Sequence, residues 1–191
     1  MTPVDPLELL GVLTGVVAVW LTVRQNVWCW PVGLVNVALF AVVFARARLY
    51  ADAGLQGVYF ALCLYGWWAW LHGGRDRGPL AVTRSPRRER LALAVLAVAG
   101  AALLGTLLHR GTNASFPYLD SALTAGSLAA QWLQARKRLE NWLVWIAVDV
   151  VYVGMYVAKE LHLTALLYAG FTALAVAGLR EWRRSLAGSA A

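Results

Sequence analysis

Apolar residues fill seven long stretches of this chain, at residues 7–23, 27–45, 53–71, 91–108, 119–135, 141–158 and 161–179. Each is close to the ~17–25 residues that a helix needs to cross the hydrocarbon core of a bilayer. The pattern therefore predicts an all-α membrane protein with seven transmembrane helices. The first and fifth stretches are the shortest, and each is followed by an arginine, Arg24 or Arg136, that can snorkel to the headgroups and extend the span. Pro31 falls in the first turn of the second stretch, where a missing N–H costs little.

Six of the stretches repeat one pattern. Trp20-Leu21-x-x-Arg24, Asn26-x-x-x-Trp30 and Gly66-x-x-x-Trp70 are matched by Trp132-Leu133-x-x-Arg136, Asn141-x-x-x-Trp145 and Gly178-x-x-x-Trp182. The first and third pairs share one offset and the middle pair a slightly larger one, which implies two copies that differ by a short insertion. Three spans, one connector and three spans (3+1+3) leave the copies parallel, a SWEET-like layout with its axis along the membrane normal. The expected division is a three-helix bundle over 1–72, a basic loop and connecting helix over 73–110, and a second bundle over 111–191. Membrane proteins built of like halves carry their ligand between them, so the repeat points to movement of a solute across the bilayer.

Polar residues inside the stretches are expensive and hence informative. The fifth carries Asp120, Thr124, Ser127, Gln131 and Gln134 at steps of 4, 3, 4 and 3, on one helix face. The sixth carries Trp142, Trp145, Asp149, Tyr152 and Tyr156, again on one face. The third offers Gln56, Tyr59, Phe60, Cys63, Trp67 and Trp70, the second Asn36, and the seventh Thr164, Tyr168 and Thr172. Asp149 lies about halfway along its span and is the one acid at that depth. A lone ionised carboxylate there would cost about 2.5 kcal/mol or more, so it must be wetted, hydrogen-bonded or protonated. With Trp145 one turn before it and Tyr152 one turn after, it suits an uncharged polar ring or a cationic one. A stripe such as Thr124 and Ser127 also serves simply to pack helices closely. Trp20, Trp28 and Trp182, near span ends, read as interface anchors. Gly33, Gly66, Gly170 and Gly178 are candidate pivots or close-packing points.

Composition agrees with a membrane setting: 60% of residues are hydrophobic and 14% charged, against about 45–50% and 25% in soluble domains. The net charge of +7 does not imply nucleic acid, because the basic residues sit between the apolar stretches. Thirteen of the 17 Lys and Arg fall on one side of a seven-span topology, at Arg24, in the third loop (Arg75 to Arg90), at Arg136, Lys137 and Arg138, and in the tail. That side is expected in the cytoplasm, which leaves the N-terminus outside and the C-terminus inside. The start, Met-Thr-Pro-Val-Asp-Pro, has no basic n-region, so the first stretch is expected to remain as a span. The third loop is the expected hinge between halves; its arginines serve as a topology signal and can also attract anionic lipid. Cys29 and Cys63 read as small packing residues, and His72, His109 and His162 do not cluster. No nucleophile–base pair, phosphate-cradling loop or metal-ligand spacing stands out, so neither an enzyme nor a cofactor is expected.

At these residues the chain resembles the PnuC family of bacterial vitamin transporters. The resemblance rests on Trp30-Pro31-x-Gly33, Leu49-Tyr50-Ala51-Asp52-Ala53-Gly54-Leu55-Gln56, Tyr65-Gly66-Trp67-x-x-Trp70, Asn141-Trp142-x-x-Trp145-x-x-x-Asp149 and Leu163-Thr164-Ala165-x-x-Tyr168. It implies a seven-helix, SWEET-like homotrimer in the bacterial inner membrane. It further implies uptake of nicotinamide riboside by facilitated diffusion, with trapping by a cytoplasmic kinase; sister branches look like thiamine or riboflavin carriers. The candidate substrate-binding set is Asn36, Gln56, Tyr59, Trp67, Asp120, Thr124, Ser127, Gln131, Trp142, Trp145, Asp149, Tyr152 and Tyr168. In it Trp142 and Trp145 would stack on the ring, Asp149 would balance its charge or bond its amide, and Gln56, Asn36, Thr124, Ser127 and Gln131 would bond ribose hydroxyls. No Lys or Arg lies at mid-span, which argues separately for a dephosphorylated substrate. Proton symport through Asp149, a vitamin-binding sensor that does not transport, and a membrane-embedded enzyme are the competing readings.

Overall fold

The computed structural model describes residues 6–111 and 116–188; the first five residues, with most of the start motif, and the outermost ends of the expected 1–72 and 111–191 units lie outside them. Every expected stretch is a helix: α1 (Pro6–Val23), α2 (Cys29–Arg46), α3 (Tyr50–His72), α4 (Arg87–Gly111), α5 (Pro117–Ala135), α6 (Asn141–Ala158) and α7 (His162–Gly188). Five of them, α1, α2, α4, α6 and α7, are long and apolar enough to cross a membrane. The other two, α3 and α5, carry the densest polar and aromatic content: Gln56 with its Tyr and Trp residues, and the stripe from Asp120 to Gln134. Those residues lower the mean hydropathy of the two helices whose inward faces are polar.

The turns between adjacent helices are built alike. Gln25, Arg48, Lys137 and Glu160 each adopt φ between 53° and 59° just past a helix end. At the first, Gln25 N–H donates to the Thr22 carbonyl and Asn26 N–H to that of Leu21. That pair of bonds is a Schellman cap, which satisfies the last free carbonyls and reverses the chain in a few residues. The same two bonds recur at the other three turns. A non-glycine residue in this region costs about 1–2 kcal/mol, so the turns are held by the packing they make possible.

This architecture corrects one part of the sequence register. The Gln25 turn matches the Lys137 turn, and the start of α2 at Cys29 matches the start of α6 at Asn141, all at one constant offset. At that offset Trp30 aligns with Trp142 rather than with Trp145, and the elements align without the insertion that the Asn-x-x-x-Trp match required. Each ring occupies the same place: a Cβ on Gly66 would strike the Trp30 ring, and one on Gly178 would strike Trp142. The similar Asn-x-x-x-Trp spacing had matched two different turns of helix.

Six helices form a closed ring. Packing runs from α1 to α2 to α3, crosses to α5, continues through α6 to α7 and returns to α1; α4 stands outside against α5. At one end of the ring, four buried tryptophans from α2, α3, α6 and α7 meet in a layer. Trp30 and Trp70 sit edge to face at 5.4 Å, as do Trp142 and Trp182, and Trp70 lies 5.8 Å from Trp182. Trp70 Nε1 donates to the Gln134 carbonyl at 3.0 Å and Trp182 Nε1 to that of Thr22 at 3.1 Å, so each half grips the other. Trp182 is 0% exposed and is a core residue, not an interface anchor; Trp20 and Trp28 are exposed.

The third loop, expected as the hinge between halves, is docked against the turn between α5 and α6. Lys137 Nζ donates to the Leu80 carbonyl at 2.9 Å, and Thr83 exchanges backbone bonds with Lys137 and Leu139. Ser85 N–H donates to Glu140 at 2.9 Å, and Glu89 pairs with Arg136 and Arg138 at 3.2 and 3.0 Å. The loop lies as a strap across the tryptophan layer, with its own Val82 buried in the core cluster that holds the rings.

Candidate functional site

The six-helix ring encloses a cavity of about 410 Å³. Asn36 reaches it from α2, Gln56 and Tyr59 from α3, Gln131 from α5, Trp142, Trp145 and Asp149 from α6, and Tyr168 from α7. These eight of the thirteen expected residues are thus brought together. The remaining five are not on its wall. Trp67 is 36% exposed and points away from the ring, as does Phe60, because the broad face of α3 wraps around to the outside. Ser127 is buried but does not reach the cavity. Asp120 sits in the first turn of α5, at the end of that helix. Thr124 bonds its own helix, donating to the Asp120 carbonyl at 2.9 Å, so it serves packing. Tyr152 backs Tyr168 at 4.7 Å between ring centres.

Asp149 is the central feature. It is the ninth of the 18 residues of α6 and is 6% exposed. Among the described residues its carboxyl has no hydrogen-bond or ion-pair partner. A carboxyl at that depth needs water, a hydrogen bond or a counter-charge, and the cavity that Asp149 lines is where any of these would sit. Trp145, one turn earlier, is half-buried and fixed by donating Nε1 to Gln134 Oε1 at 3.1 Å. Trp142 is different: at 1% exposure it is wedged against Gly178 and Trp182, so it shapes the floor of the cavity but offers no free face for stacking.

The other polar residues are partly committed. Asn36 Nδ2 donates to the Gly11 carbonyl at 2.6 Å and lies 3.2 Å from Thr14 Oγ1, which leaves its carbonyl oxygen available. Gln131 Nε2 meets only the weak acceptor Cys63 Sγ at 3.7 Å. Tyr168, Tyr152 and Tyr156 cluster within 6 Å of one another and form an aromatic wall toward the end opposite the tryptophan layer. None of the described lining residues is Lys or Arg. The nearest buried cation, Lys137, lies past the tryptophan layer with Nζ 4.5 Å from the Trp70 ring centre; burial holds its ammonium below the usual lysine range.

Sequence reasoning missed the contribution of α1. Gly11, Gly15 and Ala18 line the cavity, and their small size lets Asn36 approach: a Cβ on Gly15 would sit 3.3 Å from its Nδ2. The spacing of 4 and 3 between these small residues was the available signal. Cys29 and Cys63 are free, buried and on the same wall. Of the four candidate pivot glycines, Gly66 and Gly178 are close-packing points, whereas a Cβ on Gly170 would meet open space.

A ring of apolar helices around a chamber with aromatic walls and an unpartnered carboxyl is the architecture of a membrane carrier for a small organic solute. The chain belongs to the family described as nicotinamide mononucleotide transporter, whose model matches residues 5–184, and the resemblance to the PnuC family holds. It is 29% identical over 180 residues to the riboflavin/roseoflavin transporter RibM of Streptomyces davaonensis, covering 92% of this chain and 83% of that one. It is 26% identical over 204 residues to the nicotinamide riboside transporter PnuC of Escherichia coli, covering 94% and 85%. The crystal structure of the vitamin B3 transporter PnuC has the same fold, with a TM-score of 0.71 at 22% identity over 96% of this chain and 83% of that one. The chain is accordingly a multi-pass membrane transporter rather than an enzyme.

Proposed function

We propose that this chain carries nicotinamide riboside into the cell across the bacterial inner membrane by facilitated diffusion. One observation supports the reading most: Asp149 lines the cavity with no hydrogen-bond or ion-pair partner among the described residues, beside the fixed ring of Trp145. A cationic pyridinium ring stacked on Trp145 would supply the missing charge. Gln56, Gln131 and the Asn36 carbonyl are disposed to bond ribose hydroxyls, with Tyr59 and Tyr168 closing the sides. The lack of Lys and Arg among the described lining residues favours the riboside over its phosphorylated form.

The proposed architecture is seven spans in a 3+1+3 arrangement of parallel repeats, SWEET-like, with units at 1–72, 73–110 and 111–191. The turns and tryptophan pairs that recur at one fixed offset support it. The excess of Lys and Arg at the basic end of the ring supports a cytoplasmic position for it, with the N-terminus outside and the C-terminus inside. Assembly as a homotrimer, and trapping of the product by a cytoplasmic kinase, complete the proposal. Alternating access then requires the tryptophan layer to part on the cytoplasmic side. Rupture of the Trp70–Gln134 and Trp182–Thr22 hydrogen bonds would release the two bundles from each other.

A riboflavin carrier is the second reading, favoured by the similarity to RibM. Thiamine, also a cationic ring, is the third compound to compare. Equilibrium competition on purified protein tests all three: nicotinamide riboside should displace itself best and nicotinamide mononucleotide poorly. Preferential displacement by riboflavin would transfer the assignment to the second reading.

A further inference from the structure

A second site lies on the outside of the ring. Because α4 packs against α5 and not against α3, a groove of about 800 Å³ runs between them, open to the membrane. The helix is pinned at two places. Glu89 bonds Arg136 and Arg138 at one, and Gly105 lies against Tyr118 at the other. Between the pins the trough is floored by small residues, Ala97, Gly100, Ala125 and Ala129, and walled by Val58 and Leu62 of α3. One mouth is basic: Arg88, Arg136 and Arg138 face one compensating acid, Glu89. Arg88 is exposed and has no partner among the described residues.

We propose that this groove is a binding site for one anionic phospholipid, with the phosphate at Arg88 and Arg136 and an acyl chain lying along Ala97 and Gly100. The length fits. Glu89 to Gly100 spans about 16 Å at ~1.5 Å per residue, which is half of a hydrocarbon core of ~30 Å. The groove therefore runs from headgroup level to mid-membrane, the extent of one leaflet. Charge complementarity at its mouth selects an anionic headgroup, and basic pockets between spans are suited to that role. The inference needs only the membrane setting of the chain, so it stands or falls separately from the identity of the transported vitamin.

The test is titration of purified protein in an uncharged detergent, read as melting temperature. Phosphatidylglycerol is expected to raise it saturably, while phosphatidylcholine and chain-free glycerol phosphate do not. Arg88→Gln should raise the half-saturating concentration about fivefold, the effect of one arginine at the membrane surface. Gly100→Leu, whose side chain enters open space, should abolish the shift without lowering the lipid-free melting temperature. Native mass spectrometry supplies an independent readout, as a retained anionic lipid that the Gly100→Leu protein has lost. Equal shifts from phosphatidylglycerol and phosphatidylcholine, or parental titration by both variants, would overturn the site. So would an oligomer that retains no lipid and dissociates on Gly100→Leu, which would assign the groove to a second copy of the chain.

Discussion

Replacing Asp149 by Asn should weaken the ligand complex and strengthen the empty protein. The side chain sits about 12 Å from either end of α6 at ~1.5 Å per residue, buried and, among the described residues, without a partner. In the empty protein the substitution keeps the shape and removes a carboxyl group that nothing compensates. The carboxamide is unpaired too but carries no charge, so only the charged share of the penalty is relieved, which raises the melting temperature. In the complex it removes one member of a buried ion pair with the pyridinium ring, at a cost of about 2–5 kcal/mol. Even the lower figure corresponds to roughly a thirtyfold rise in Kd. Calorimetric titration with nicotinamide riboside measures the first effect, and thermal unfolding without ligand measures the second. A Kd unchanged from the parent, or an empty protein that melts earlier, would refute the assignment of Asp149 as the ligand's counter-charge.

Other expectations follow from the same packing. Gly66→Ala and Gly178→Ala each drive a methyl group into a tryptophan ring, so each should lose about 1–3 kcal/mol of stability; parental melting of either would contradict the paired wedges. Lys137→Gln removes the bond to Leu80 and the contact with Trp70, and trypsin should then cut the strap at Arg84 faster; an unchanged cleavage rate would show that Lys137 does not hold it. Burial lowers the Lys137 value in the folded chain, so the unfolded chain binds more protons between that value and about 10.4. Stability should therefore rise with pH across this window, and Lys137→Gln should flatten the rise; an undiminished slope in the variant would place its origin elsewhere. Trp145→Ala should weaken ligand binding by about thirtyfold, the worth of a desolvated cation–π contact of about 2 kcal/mol, whereas Trp67→Ala should leave it unchanged; equal losses from both would return Trp67 to the site.

The architecture was largely legible because spans declare themselves by length, and every apolar stretch became a helix. The polar stripes were legible too: cost alone places Gln131, Asp149 and Tyr168 on inward faces. What periodicity could not supply was which part of a broad face turns inward. Thus α3 shows Tyr59 and Cys63 to the cavity but Trp67 to the outside. Nor could it separate a tryptophan at a span end that anchors in the interface, such as Trp20, from one that closes a core, such as Trp182. That distinction depends on Gly178 and Trp142 meeting across two helices. The docking of the strap was not legible because its composition, Gly, Pro, Ser and Arg, describes a loop equally well whether slack or docked. Its anchors at Lys137, Arg138 and Glu140 belong to a turn in the other half of the chain, beyond the reach of any local pattern.

Entry of labelled nicotinamide riboside into proteoliposomes containing only this protein, with no proton or sodium gradient, tests the central claim most directly. Uptake should proceed until the inside and outside concentrations are equal, keep its initial rate when a proton gradient is imposed, and fall sharply with Asp149→Asn. Binding without entry, or accumulation above the outside concentration once a proton gradient is imposed, would contradict a passive carrier built around that carboxyl group.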